Sequence, residues 1–252
     1  MEMTDDAVLD GRLRLRQPRR GHRVGHDAIL LAAATGGKPG EHAVDLGAGI
    51  GAAGLALAAR VDGLCVTLIE VEPALAALAA ENAQRNGFAG RVTSVVLDVG
   101  APARAFAAAG LKPGSAARVL MNPPFNDPLR QNLSPDQRRR LAHAGSPKLL
   151  PAWVRTAARL LSARGVLTLI WRADGLQHVL AALSPHFGGA AILPVHGRTG
   201  QSAIRILVRA AKGSRAPLTL YPGLILNDER GRPTAQAETI LRDGATLPLA
   251  EL

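Results

Sequence analysis

The tetrapeptide Asn122-Pro123-Pro124-Phe125 concentrates more chemistry than any other run of four residues in the chain. Two consecutive prolines supply no backbone N–H and hold the backbone rigid, so carbonyl oxygens and the Asn122 amide project from it. Acceptors of this kind suit a planar amino group, on adenine or on a carboxamide. The nitrogen of such a group is a poor nucleophile because its lone pair is delocalised, and acceptors on both hydrogens draw it toward tetrahedral geometry. Asn122 and the carbonyl of Pro123 are the candidate acceptors. Pro124 stiffens the run, and Phe125 can stack on a flat substrate, an interaction worth about 1–3 kcal/mol for a base. The same four residues also make an ordinary turn, so their setting decides between the two readings.

That setting begins upstream, at Asp45-Leu46-Gly47-Ala48-Gly49-Ile50-Gly51-Ala52-Ala53-Gly54. Glycines at a strand-to-helix turn let a ligand approach the backbone, and the amino end of the following helix favours an electron-rich group. Gly49-x-Gly51-x-x-Gly54 fits a dinucleotide fingerprint, and Glu70 lies where that fingerprint wants a ribose-binding acid. Asp45 points elsewhere: a carboxylate just ahead of the glycines repels a pyrophosphate but welcomes an ammonium and a sulfonium, as in S-adenosylmethionine. Glu70 is then expected to accept both ribose hydroxyls, and Asp98 to face the adenine amino group. Glu72 is the competing acid near Glu70, and it reads as the cap of the helix opened by Pro73.

These residues need a frame in which strands end side by side. Ala43 to Asp45, Leu64 to Glu70, Arg91 to Asp98, Arg118 to Met121 and Gly165 to Trp171 read as strands. Between them, helices are expected over Ala52 to Arg60, Pro73 to about Asn86, Ala101 to Ala109 and Leu149 to Ser162, with one more over Gly175 to Ser184. Pro73 favours a first helical turn, and Gly87, Gly90 and Gly110 stop helices. Ala190 to Pro194 and Ala203 to Arg209 read as a closing antiparallel pair. This alternation predicts an α/β fold with a mostly parallel sheet covered on both faces, whose ligands sit at the carboxyl ends of the strands. Residues 1–34 are expected to form a basic, substrate-facing amino-terminal segment able to lie over the pocket as a lid, 35–210 the main domain, and 211–252 a small elaboration with a short helix near Ala235 to Arg242.

The chain has 252 residues, 47% hydrophobic and 20% charged, which excludes a disordered or collagen-like protein. No run is long and apolar enough for a membrane span, and the acidic start, Met1 to Asp6, does not resemble a signal peptide, so a cytoplasmic location is expected. Cys65 stands alone, which rules out an internal disulfide, and it reads as a small core residue. His22 and His26 lack the glutamate of a zinc-protease pattern and the other histidines are scattered, so no metal is expected. His143 reads as a surface loop residue, Trp153 and Trp171 as core. The formal charge of +10 points to a polyanion, with nucleic acid first among the candidates. Arg12, Arg14, Arg16, Arg19, Arg20 and Arg23 crowd into one segment, and Arg138, Arg139 and Arg140 form a second run. Guanidinium groups fork onto phosphates, and six so close together repel one another unless neutralised.

Taken in order, the acidic glycine loop, Glu70, Asp98 and Asn-Pro-Pro-Phe resemble the Rossmann-like class I S-adenosylmethionine-dependent methyltransferases that act on planar amino nitrogens. Within them the chain is similar to the bacterial tRNA adenine methyltransferases that modify the base beside the anticodon of a valine tRNA. That closer likeness rests on Arg23-x-Gly25-x-Asp27-Ala28-Ile29-Leu30-Leu31, on Asn82-x-x-x-Asn86 and on overall length. Phe125 stands where that tRNA family commonly has Tyr. The resemblance implies a seven-stranded sheet and S-adenosylmethionine as cofactor. The expected cofactor set is Asp45, Gly47, Ala48, Gly49, Gly51, Glu70, Val71, Asp98 and Asn122, and the catalytic set Asn122, Pro123, Pro124 and Phe125. Methyltransferases acting on rRNA guanine or on protein glutamine share the tetrapeptide. A nicotinamide-dinucleotide protein and a catalytically silent RNA-binding protein account for the loop or the charge alone.

Overall fold

The computed structural model describes residues 2–19, 24–124 and 149–251. An amino-terminal hairpin comes first, β1 (Met3–Val8) and β2 (Leu13–Pro18), followed by α1 (His26–Ala34). The sequence reading missed the hairpin, although its signal is simple. Leu13, Leu15 and Gln17 are buried and alternate with arginines, the period of a strand with one covered face.

Strands and helices then alternate: β3 (His42–Leu46), α2 (Ala52–Arg60), β4 (Cys65–Glu70), α3 (Pro73–Arg85), β5 (Val92–Val96), α4 (Ala103–Ala108) and β6 (Ala116–Met121). Beyond residue 148 come α5 (Leu149–Leu160), β7 (Leu161–Arg172), α6 (Leu176–Leu183), β8 (Phe187–His196) and β9 (Ala203–Lys212). The seven long strands lie in the order β5-β4-β3-β6-β7-β9-β8, with β9 antiparallel to both neighbours and the others parallel. The expected sheet is therefore present, and it is wider than expected. Two short strands of the carboxy-terminal segment, β10 (Thr219–Leu220) and β11 (Leu224–Ile225), pair with β8, making nine.

Alternation along the strands divides the interior in two. Ala43, Leu68, Leu120 and Ile170 face a layer holding α1, α2 and α3, whereas Val44, Ile69, Met121 and Leu169 face one holding α4, α5 and α6. Both flanking segments join the first layer. Leu9, Leu13 and Leu15 enter it from the hairpin, and Leu224, Ile240 and Leu249 from the far end, with α7 (Ala235–Leu241) beside α1. Burying a leucine is worth about 1.5–3 kcal/mol, so these ends are held by the same core as the sheet.

One expectation fails here. Cys65 is exposed, because Leu64 and Val66 take the covered positions on either side and period-two alternation turns Cys65 away from them. Trp153 is buried as expected, and Trp171 is half-buried against Gly175. Among the described residues no helix is long and apolar enough to cross a membrane.

Candidate active site

Asp45, Glu70 and Asn122 meet because β3, β4 and β6 are neighbours in parallel register. Leu46 pairs with Ile69 on one side and with Met121 on the other, so Gly47, Glu70 and Asn122 each follow a matched position at the carboxyl edge. Glu70 in turn pairs with Val96, which places Asp98 just beyond the end of β5. The alternating pattern of a doubly wound sheet makes this edge the natural ligand site.

The loop after β3 is held by carboxylates. Glu70 is buried, and its Oε2 accepts the Gly49 N–H at 2.8 Å while its Oε1 accepts the Glu72 N–H at 2.9 Å. Ala48 donates to the Ile69 carbonyl at 2.8 Å, and Gly51, the residue before α2, donates to the Ala48 carbonyl at 2.8 Å. Asp45 is buried too, and its Oδ2 accepts the Gly54 N–H at 2.9 Å, fastening the strand end to the first turn of α2. Burial pushes the Asp45 carboxyl up to about 7, with the Gly54 bond opposing the rise and neighbouring Glu70 adding to it. The acids expected to reach a ligand are thus also the acids that shape the loop. A carboxylate oxygen has more than one lone-pair direction, so a backbone bond leaves further acceptor capacity.

Two glycines of the loop serve different ends. Gly47 has φ +71, and a Cβ there would lie 2.4 Å from the Cη2 of Trp153 on α5. Its missing side chain admits the indole, a contact that one-dimensional reading of Trp153 as core could not anticipate. Gly49 has φ +57 and open space where its Cβ would be, so ligand atoms can approach the backbone there. Val71, 60% exposed, offers an apolar surface directly after Glu70. Asp98 is exposed at the same edge and accepts the Gly100 N–H at 2.7 Å. Glu72 occupies the position before α3, as expected, but its side chain makes no capping bond.

Asn122 differs from all of these. Its Oδ1 is buried and has no hydrogen-bond partner among the described residues. An unmet buried acceptor costs about 1–3 kcal/mol, so its presence beside the loop calls for an explanation. Pro123 is buried next to it and Pro124 half-buried. Phe125 lies outside the described residues, as do Arg20, Arg23, Arg138, Arg139, Arg140, His22 and His143. The described residues contain no group of three side chains able to hold a metal.

The amino-terminal arginines are not a bare cationic cluster. Arg16 pairs with Glu81 at 2.8 Å and Arg19 with Glu2, while Arg12 donates to the Arg242 and Asp243 carbonyls. Glu81 on α3 and Glu2 ahead of β1 supply neutralising partners that linear crowding concealed. Arg14 is exposed.

These features fit an adenosyl cofactor with a cationic tail. Gly49 leaves room at the backbone, Val71 an exposed apolar surface, and Asp45 a buried carboxylate that a cation would keep ionised. A tRNA1(Val) (adenine(37)-N6)-methyltransferase of Porphyromonas gingivalis is 31% identical over 160 residues, covering 62% of this chain and 60% of that protein's length. A solved structure described as a predicted O-methyltransferase of Agrobacterium tumefaciens is 32% identical, with a TM-score of 0.73 over 88% of this chain and 98% of that one. Geranyl diphosphate C-methyltransferase of Streptomyces coelicolor, solved with S-adenosyl-L-homocysteine, shares the fold at 14% identity and a TM-score of 0.51, covering 74% of this chain and 75% of that one. The match to the methyltransferase small domain runs over residues 25–196, from the residue preceding α1 through the end of β8 and across the whole carboxylate-held edge. This chain therefore belongs to the methyltransferase small domain family, whose cofactor is S-adenosylmethionine.

Proposed function

We propose that this chain methylates an exocyclic amino nitrogen of a nucleobase, adenine in tRNA, in the cytoplasm. The observation that carries the reading is the buried, unpartnered Oδ1 of Asn122 beside the cofactor loop. S-adenosylmethionine supplies a methyl group on a sulfonium. Asp45, Gly47, Ala48, Gly49, Gly51, Glu70, Val71 and Asp98 would hold it, the acids contributing acceptors and Val71 an apolar face. Asn122 accepts one hydrogen of the substrate amine and the Pro123 carbonyl accepts the other. The lone pair is thereby drawn out of conjugation as the nitrogen becomes tetrahedral. This is an interaction stronger in the transition state than in the ground state, the kind that raises turnover. Pro124 holds the run rigid and Phe125 stacks on the base.

The formal charge of +10 and the valine-tRNA enzyme of Porphyromonas gingivalis support RNA as the substrate. On this reading the 1–34 segment faces the RNA, residues 35–210 carry the chemistry and 211–252 elaborate it. Arg12, Arg14, Arg16, Arg19, Arg20, Arg23, Arg138, Arg139 and Arg140 are the proposed phosphate contacts.

The test is mass spectrometry of nucleosides and peptides after incubating the protein and methyl-labelled cofactor in parallel with an unmodified valine tRNA transcript, with unmodified rRNA and with glutamine-bearing protein. N6-methyladenosine is the expected product. Methylguanosine from rRNA, or label transferred to protein glutamine but not to RNA, would replace this reading with the corresponding alternative.

A further inference from the structure

Asn82 on α3 and Asn86, which caps the carboxyl end of that helix, take no part in the chemistry proposed above, yet both side chains are engaged. Asn86 Oδ1 accepts the Arg14 N–H at 2.8 Å and its Nδ2 donates to the Arg14 carbonyl at 2.7 Å. Asn82 repeats the pattern on Arg16, accepting its N–H at 2.8 Å and donating to its carbonyl at 3.0 Å. Each amide thus plays the part of a neighbouring strand, offering β2 one donor and one acceptor. The spacing permits this because four residues of helix rise about 6 Å, close to the roughly 6.6 Å spanned by two residues of strand.

The two differ in their third bond. Asn86 Nδ2 turns back to the Asn82 carbonyl in the last turn of α3, at 2.7 Å. Asn82 Nδ2 reaches across to the carbonyl of Ile50, at 3.1 Å. Ile50 lies between Gly49, whose N–H is fixed by Glu70, and Gly51, which precedes α2. Asn82 is fully buried, so no water competes for that bond.

We propose that Asn82 is a positioning residue of the cofactor site. It sets the Ile50 carbonyl, and with it the backbone from Gly49 to Gly51, and it ties that backbone to the docked amino-terminal hairpin. Hairpin docking and cofactor binding are then coupled, and the coupling is reciprocal. The inference rests on the assignment of an S-adenosyl cofactor to this loop.

The experiment compares Asn82→Asp with Asn86→Asp, reading melting temperature and S-adenosylhomocysteine affinity by calorimetry, and follows amide exchange at Arg14 and Arg16 in the unaltered protein with and without that ligand. Both variants are expected to melt earlier, since each loses a donor to β2. Asn82→Asp should weaken the ligand about tenfold, equivalent to about 1.4 kcal/mol, and Asn86→Asp less than about twofold, a residual of hairpin loosening alone. In the unaltered protein the ligand should slow exchange at both arginine amides, which decides the matter even if neither variant folds. Equal affinity losses in the two variants, an unchanged affinity in Asn82→Asp, or exchange indifferent to ligand would overturn the proposal. Absence of binding to the unaltered protein would overturn the cofactor assignment along with it.

Discussion

The glycine loop after β3 and the tip of β6 lie side by side at the same sheet edge, and they treat their polar groups in opposite ways. The loop is satisfied from within: Glu70 holds Gly49 and Glu72, Asp45 holds Gly54, and Asn82 holds Ile50. At the tip, Asn122 keeps a buried oxygen with no partner among the described residues. A loop whose backbone must meet a ligand in fixed geometry is organised beforehand, so that ordering is not charged against binding. On the proposed mechanism an acceptor that acts on a reacting amine is left unmet, because a partner in the resting protein would compete with the substrate. Stability and function therefore separate across a distance of one strand.

Breaking the tip should affect rate far more than folding. Asn122→Ala is expected to lower turnover by about 10²–10³, the usual consequence of removing one group aimed at a transition state. Cofactor affinity should change by no more than a few-fold, and the melting temperature should hold or rise because an unmet buried acceptor is gone. Single-turnover methylation, with thermal unfolding on the same samples, reads both. A parental rate would remove Asn122 from the mechanism.

Breaking the loop should cost stability and cofactor binding together. Glu70→Ala leaves two backbone amides without their carboxylate, and a loss of about 1.5–3 kcal/mol is expected in stability. A comparable loss in S-adenosylmethionine affinity should accompany it, measurable by denaturant titration and calorimetry. If stability fell while affinity stayed, Glu70 would be a loop support without a ligand contact.

The smallest effect sharpens the contrast through pH. The Asp45 carboxyl titrates near 7 in the folded chain against 3.8 for the ordinary group, so the folded state binds its proton more tightly than the unfolded state. Stability from this group is full below 3.8 and declines as pH rises toward about 7. Asp45→Asn can still accept from Gly54 but carries no charge. Thermal melts should find it more stable than the parent above neutrality, by about 2–4 °C for each kcal/mol recovered, and similar to it below the lower value. A difference that does not vary with pH would mean that Asp45 does not titrate as its burial requires.

Much of this was legible in one dimension. Gly47, Gly49 and Gly51 bracket a strand-to-helix turn, Glu70 and Asp98 follow apolar runs, and Asn122-Pro123 ends another, so each could be placed at a strand end before any contact was known. The roles of the same residues were less legible. Nothing in the spacing indicates that Glu70 clamps Gly49 across 21 positions or that Gly47 is open to receive Trp153 more than 100 positions away. The hairpin was missed for a different reason. Six arginines drew attention to charge, while the alternating Leu13 and Leu15 carried the structural signal.

Local physics accounts for the division. Periodicity, proline and glycine act within a few residues, and they determined the order of strands and helices, the acidic glycine turn and the Asn-Pro-Pro-Phe run. Which buried groups find partners depends on what the sheet order and the α3 packing bring alongside. The tertiary structure alone decided that Asp45 and Glu70 hold the loop and its helix, that Arg16 meets Glu81, that Asn82 stands in for a strand, and that Asn122 has a buried oxygen unpaired among the described residues.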